Sequence, residues 1–394
     1  MLNETAVKLG KTRSTIREIF EYGNKRAAQV GRENIFDFSI GNPNVPAPNA
    51  VQDVISELIK TEDIAKLHGY TSAQGAPENR KAIADDLNKR FGTNYNENQL
   101  YLTVGAAASL TISLNALTSS KDDEFIVFAP YFPEYLVFIE QGAGAKAVVI
   151  PPREQDFQID FDTFISKINK NTKGVIINSP SNPSGVVYTN ETIKKLAEIL
   201  KQKSNEYKHP IYLLSDEPYR EIVYDVEVPF VAKEYDRTIV CYSYSKSLSL
   251  AGERIGYILV PNVEEFEEIY AAVCGAGRML GFVNAPSLFQ KVIAKCTGMT
   301  SDLSIYAENR RLLLEGFEKM GYSCVKPDGA FYMFPKSLEP NDRAFCERAK
   351  KYDLLLVPGS DFGAKGHVRI SYCVKTETIK RALPLFEKLA EEYK

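Results

Sequence analysis

At 394 residues, 44% apolar and 25% charged, the chain can bury a large core divided between two expected domains, and its net charge of -3 gives no electrostatic case for nucleic acid or an anionic membrane. Six cysteines without a CxxC pair and three histidines without HExxH exclude a recognisable zinc site or disulfide framework, which leaves a reducing cytoplasm as the simplest compartment. The first twenty residues contain no apolar leader core, and no segment approaches the ~20 apolar residues of a membrane span.

In chain order, residues 14 to 30 have helical spacing, and Ile35 to Ile40 reads as a strand running into GNPN. Gly41 would then lie in an exposed turn, either as a plain turn glycine or with its amide close to a ligand. A helix is expected over 50–60. Next comes the loop HGYTSAQG, where Tyr70 is either a packed loop residue or a hydroxyl donor to a phosphate.

From about residue 100 to 260, short β-rich runs alternate with helical stretches, the pattern of an α/β domain with a largely parallel sheet. Leu100 to Val104 leads through Gly105 into a helix over Ala106 to Leu117. The free amides of that helix start, uncrowded by Gly105, Ala106 and Ala107, suit an anion. The spacing is not GxGxxG, which argues against a dinucleotide site. Four more apolar runs end in polar or aromatic residues: EFIVFAPYFPEY, KGVIINSPSNPSG, IYLLSDEPYR and RTIVCYSYSK.

Ligands of open α/β sheets collect at the carboxyl ends of strands, so Phe132, Asn182, Asp216, Tyr219 and Lys246 can converge. Each also has an ordinary reading: Asp216 as a helix cap, Asn182 in an Asx turn, Phe132 in the core, Lys246 on the surface near a turn. A partly desolvated lysine at a strand end loses charge readily, as an amine must to form a Schiff base. After Pro261 come helical segments, including long amphipathic stretches from Ser287 to Lys319, then two or three strands and a closing helix. These make a smaller α+β domain.

With GNP, YTSAQG, TVGAAAS, NSPSNPSG, SDEPY, SYSKSLSLAGERIGY and RIS in this order, the chain resembles the class I/II pyridoxal-phosphate aminotransferases of fold type I over essentially its whole length. The resemblance implies a large domain with a mostly parallel seven-stranded sheet over 46–289. A small domain over 290–394 would pack with an N-terminal segment, 1–45. It implies pyridoxal 5'-phosphate as cofactor, no metal, and a homodimer with active sites at the interface.

By position, Lys246 would carry the cofactor as a Schiff base and later move the substrate α-proton. Asp216 would pair with the pyridinium nitrogen, Asn182 and Tyr219 would bond the ring oxygen, and Phe132 would stack on the ring. The phosphate would be held by the amides after Gly105, with Ala106 and Ala107 supplying only backbone, by Ser243, by Arg254, and by Tyr70 from the other subunit. Ser109 lies too far along its helix to replace them, and Ser245 and Ser247 would shape the turn. Arg369, with Asn182 and the Gly41 amide, would bind the substrate α-carboxylate.

Cofactor residues do not fix reaction type, so a cystathionine-type C–S β-lyase stands beside an aminotransferase moving amino groups between L-amino acids and 2-oxo acids such as 2-oxoglutarate. A regulatory protein with an aminotransferase-like domain is disfavoured, because the roughly 40 residues before GNPN lack basic character. For a side-chain carboxylate, as in aspartate, Arg13, Arg17, Lys25 and Arg278 are available. Tyr22, Tyr70 and Phe282 would suit an aromatic donor.

Overall fold

The structure, a computed structural model, describes residues 2–11 and 15–394. Two helices, Glu4–Lys11 and Thr15–Val30, precede a two-residue strand β1 (Phe36–Asp37). The central sheet contains β2 (Leu100–Thr103), β3 (Glu124–Phe128), β4 (Lys146–Ile150), β5 (Thr172–Asn178), β6 (Tyr212–Asp216), β7 (Thr238–Ser243) and β8 (Gly256–Leu259). Their order across the sheet is β2-β8-β7-β6-β5-β3-β4. Only β8 runs antiparallel to its neighbours, β2 and β7, so the carboxyl ends of β2, β3, β5, β6 and β7 share one edge. This is the expected seven-stranded, mostly parallel α/β sheet.

The inner strands are apolar runs because both faces are covered. Alternation sends Phe125 and Val127 toward a core with Leu110, Leu114 and Val273, while Ile126 joins a second core with Ile193, Leu196 and Leu200 on the opposite face. The helix Ala106–Leu117 packs on Phe266–Met279. β4 stands at the edge of the sheet, where only Ile150 of its five residues is buried.

Beyond the sheet, helices Ser304–Met320 and Thr376–Glu391 pack against β9 (Tyr332–Met333), β10 (Leu354–Leu355), β11 (Val357–Pro358) and β12 (Val368–Ser371). β12 lies between β11 and β9, antiparallel to both. β1 pairs in parallel with β10, Phe36 opposite Leu354, and Phe38 is buried beside Phe386.

The strand expected over 35–40 is therefore cut to two residues. After Phe38, whose carbonyl accepts from Ser371 N, the chain leaves the ladder and carries Ser39 to Arg369. The amphipathic stretches expected from Ser287 to Lys319 are two helices, Ser287–Lys295 and Ser304–Met320, separated by a turn in which Gly298 has φ +73. Among the described residues no helix is long and apolar enough to cross a membrane.

Candidate active site

A cavity of about 310 Å³ opens at the carboxyl edge of the sheet, a volume at the low end of the ~300–1,000 Å³ of small-molecule sites. Its walls include Gly41, Ala106, Ala107, Phe132, Asn182, Asp216, Tyr219, Ser243, Lys246, Arg254 and Arg369. The strand ends thus bring together residues that were separate signals in the sequence. Gly105 stands just behind the wall as the residue before the helix, with φ +99.

Lys246 sits in a one-turn helix, Tyr244–Ser247, that starts where β7 ends, capped by Ser243 Oγ accepting from Ser245 N. Its Nζ donates to the Gly41 carbonyl over 2.7 Å. Burial, with further help from the Arg254 and Arg369 guanidiniums, lowers its pKa to about 8. The amine is therefore still mostly charged at physiological pH, but its neutral fraction is far larger than that of an exposed lysine.

Gly41 is not in the exposed turn the sequence suggested. A Cβ there would stand 1.9 Å from Tyr332 Oη, so the position tolerates no side chain.

Asp216 ends β6, fully inside. Tyr135 Oη donates to its Oδ2 over 2.5 Å, whereas buried Oδ1 has no hydrogen-bond partner among the described residues. Desolvation raises the carboxyl to about 7 even though the Tyr135 bond opposes the rise. Asn178 fastens the same floor: its Nδ2 donates to the Asp216 carbonyl and its Oδ1 accepts from Asn182 N. The turn after Asp216 is anchored by the buried Glu217–Arg220 ion pair, whose guanidinium lies against Phe91, Phe230 and Tyr242.

Arg254 and the Ala106–Leu117 helix start face each other, and a Cβ on Gly105 would come within 2.7 Å of Arg254 Nη2. Arg254 Nη1 donates to Ser245 Oγ and to the Ala251 carbonyl. Ser245 lines the cavity and also accepts from Ser243 Oγ, so its role is not confined to the turn. The bond to Arg254, nine residues on, is not marked by the place of Ser245 beside Lys246 in the chain. Ser109 is tied to the Gly105 carbonyl and Thr103 and does not line the cavity.

At the other end, Arg369 is 2% exposed, donates to Asn182 Oδ1 over 3.0 Å and to the Ser39 carbonyl, and lies 4.9 Å above the Tyr332 ring. Neither Arg254 nor Arg369 has a carboxylate partner among the described residues, and Arg369 Nε is unbonded. A buried guanidinium without an anion is costly, as at Arg369, and the exposed Arg254 faces the cavity from the other end, so the cavity presents two positions for negative groups, with an amine between them.

These features fit pyridoxal 5'-phosphate. An unpartnered acceptor on Asp216 matches a ring N–H, and hydroxyls, helix amides and a guanidinium at one end match a phosphate.

The remaining expectations fall elsewhere. Tyr70 is 90% exposed and does not line the cavity of its own chain. Arg17, Lys25, Arg278, Tyr22 and Phe282 do not line it either, and Arg13 lies outside the described residues. Ile16, Ile40 and Leu110 join Phe132 in the apolar part of the wall.

The two shifted groups set a pH dependence for the cofactor-stripped protein. An unfolded aspartate titrates near 4, so between pH 4 and about 7 the folded chain keeps a proton that the unfolded chain has lost. Stability is expected to fall across that window by up to about 1.4 kcal/mol per pH unit. Lys246 acts the other way from about 8 to 10.5, where the unfolded chain binds the extra proton and stability rises with pH. Thermal melts of the parent and of Asp216→Asn check this, because the acid-side slope must shrink in the variant.

The sequence profile of the aminotransferases of class I and II matches residues 33–385. An aspartate aminotransferase of Pyrococcus horikoshii is 30% identical, with 96% of this chain and 95% of that one covered. Among solved structures, an aminotransferase from Eubacterium rectale superposes with a TM-score of 0.98 at 60% identity, over 100% of this chain and 99% of that one. An aspartate aminotransferase from Thermus thermophilus with maleate superposes at 0.86 and 25% identity, over 99% of both chains.

Proposed function

Because this chain belongs to the class I and II aminotransferases and is thus a pyridoxal-phosphate-dependent transaminase, we propose that it moves an α-amino group from an L-amino acid to 2-oxoglutarate in two ping-pong half-reactions. The observation that carries the reading is a buried lysine of lowered pKa between two guanidiniums that lack an acid partner among the described residues. Aspartate and aromatic amino acids are the favoured donors. The first is supported by the activity named for the Pyrococcus relative, the second by the apolar wall of Ile16, Ile40 and Phe132.

When bound, the cofactor supplies an electron sink for the α-carbon of the amino acid. The residues do the rest. Lys246 Nζ would hold the cofactor covalently, and once freed by substrate it would take the proton from the substrate α-carbon and deliver it to the carbon on the other side of the transferred nitrogen. Asp216 Oδ1 keeps a proton on the ring nitrogen. Asn182 has its oxygen engaged by Arg369, which leaves Nδ2 to donate to the ring oxygen beside Tyr219 Oη. Phe132 offers its face to the ring.

Arg254, Ser243, Ser245 and the amides of Ala106 and Ala107 grip the phosphate, with Tyr70 of the second subunit of a homodimer completing the grip. Arg369, with Asn182 and the Gly41 amide, takes the α-carboxylate as a fork. The large and small domains would run over 46–289 and 290–394, with 1–45 joining the second. Six unbridged cysteines support a reducing, cytoplasmic setting.

Donor screening tests the reading. Aspartate or phenylalanine is expected to bleach the protein's visible absorbance and yield the 2-oxo acid, and added 2-oxoglutarate to restore the band and yield glutamate. Pyruvate and ammonia released from cysteine conjugates without an acceptor would replace the transaminase by a lyase.

A further inference from the structure

Tyr332 was not singled out by any sequence motif, yet three parts of the site meet on it. Its buried ring lies under the Arg369 guanidinium at 4.9 Å, and its hydroxyl is 2.9 Å from Tyr219 Oη. The same hydroxyl fills the space that a side chain on Gly41 would need. The two tyrosine rings meet edge to face, with centroids 5.6 Å apart, so neither hydroxyl can swing away without moving a ring.

The direction of the hydroxyl bond follows from which phenol is the better donor. Each phenol has one proton to give. Among the described residues each hydroxyl has only the other as hydrogen-bond partner, and both residues line the cavity. The Arg369 cation lies 4.9 Å over the Tyr332 ring and draws electron density from its oxygen, which makes Tyr332 O–H the stronger donor of the two. With Tyr332 donating, the Tyr219 proton is the one left for an acceptor in the cavity.

We propose that Tyr332 is a positioning residue that aims the Tyr219 proton at the cofactor's ring oxygen while bearing the carboxylate-binding face of Arg369. One side chain thereby joins the cofactor end of the site to the substrate end. The inference rests on the transaminase reading above. The charged and titratable groups that face Tyr332 are Arg369 on β12, Cys373 just beyond it and Tyr219 after β6, with Lys246 nearby on the Gly41 carbonyl.

The test uses the cofactor-loaded protein and a pH titration of its visible absorbance, read without turnover. Tyr332→Phe keeps the ring under Arg369 and removes the hydroxyl. The apparent pKa of the band is expected to rise by about one unit, and kcat to fall about ten-fold. The KM of the amino acid and the Kd of unreactive maleate or 3-phenylpropionate should change less than about two-fold.

Tyr332→Leu, which also removes the ring, should raise those constants about ten-fold in addition. In Tyr219→Phe the second change Tyr332→Phe should add nothing to the titration, because the hydroxyl acts only through Tyr219.

A pKa in Tyr332→Phe within about 0.2 unit of the parent, or shifts that simply add in the double variant, overturns the inference and leaves the transaminase reading standing. A parent protein with no visible band and no borohydride-fixed adduct at Lys246 overturns both.

Discussion

Lys246→Ala is expected to lower turnover by about 10⁴-fold or more and to leave no cofactor bound to protein after borohydride treatment. The substitution removes both the nitrogen that forms the bond and the base that moves the proton, and the cavity holds no second lysine among the described residues. Folding should survive. Burial already works against the charged amine, and its single hydrogen bond, to the Gly41 carbonyl, is made at the cavity edge. Peptide mapping after reduction reads the outcome, and an adduct that persists on another lysine would remove Lys246 from its role.

The second large effect is expected at Asp216. Asp216→Asn should keep the shape of the site, since the amide oxygen can still accept from Tyr135, but it cannot carry the negative charge that retains a proton on the ring nitrogen. A fall in kcat of about 10³-fold is expected, comparable to the loss of one preorganised electrostatic partner, with cofactor affinity reduced far less. The raised carboxyl pKa explains the sensitivity. A carboxylate that costs this much to ionise alone is stabilised once a cationic partner takes up Oδ1. A loss smaller than ten-fold would mean that ring-nitrogen protonation is held by another group.

Much of this was legible in the chain itself because parallel strands report their ends. An apolar run followed by a polar residue marks where a side chain leaves the sheet, and Asp216 and Lys246 stand at or just after such points, on β6 and β7. Side chains whose role depends on pairing left no such mark. Tyr135 and Asp216 are 81 residues apart, and Tyr219 and Tyr332 are 113 apart, and nothing in either neighbourhood signals the other hydroxyl.

The bond from Arg254 to Ser245 went unmarked for a related reason. With Ala106 and Ala107 contributing no polar side chains at the helix start, part of the polar lining comes instead from a serine beside the lysine, and only the three-dimensional path to Arg254 reveals it.

The pairing of β1 with β10 carries a consequence for biosynthesis. Phe36 and Asp37 emerge early from the ribosome, but their partners Leu354 and Leu355 are made more than 300 residues later, as is Arg369, which takes the Ser39 carbonyl. At about 5–20 residues per second the first segment waits roughly 15–60 s for the strand that completes it. The central sheet has all its strands by residue 259 and can collapse first. The newborn polypeptide could therefore fold its cofactor floor while its carboxylate fork does not yet exist, and catalytic competence would arrive only when the two ends of the chain meet.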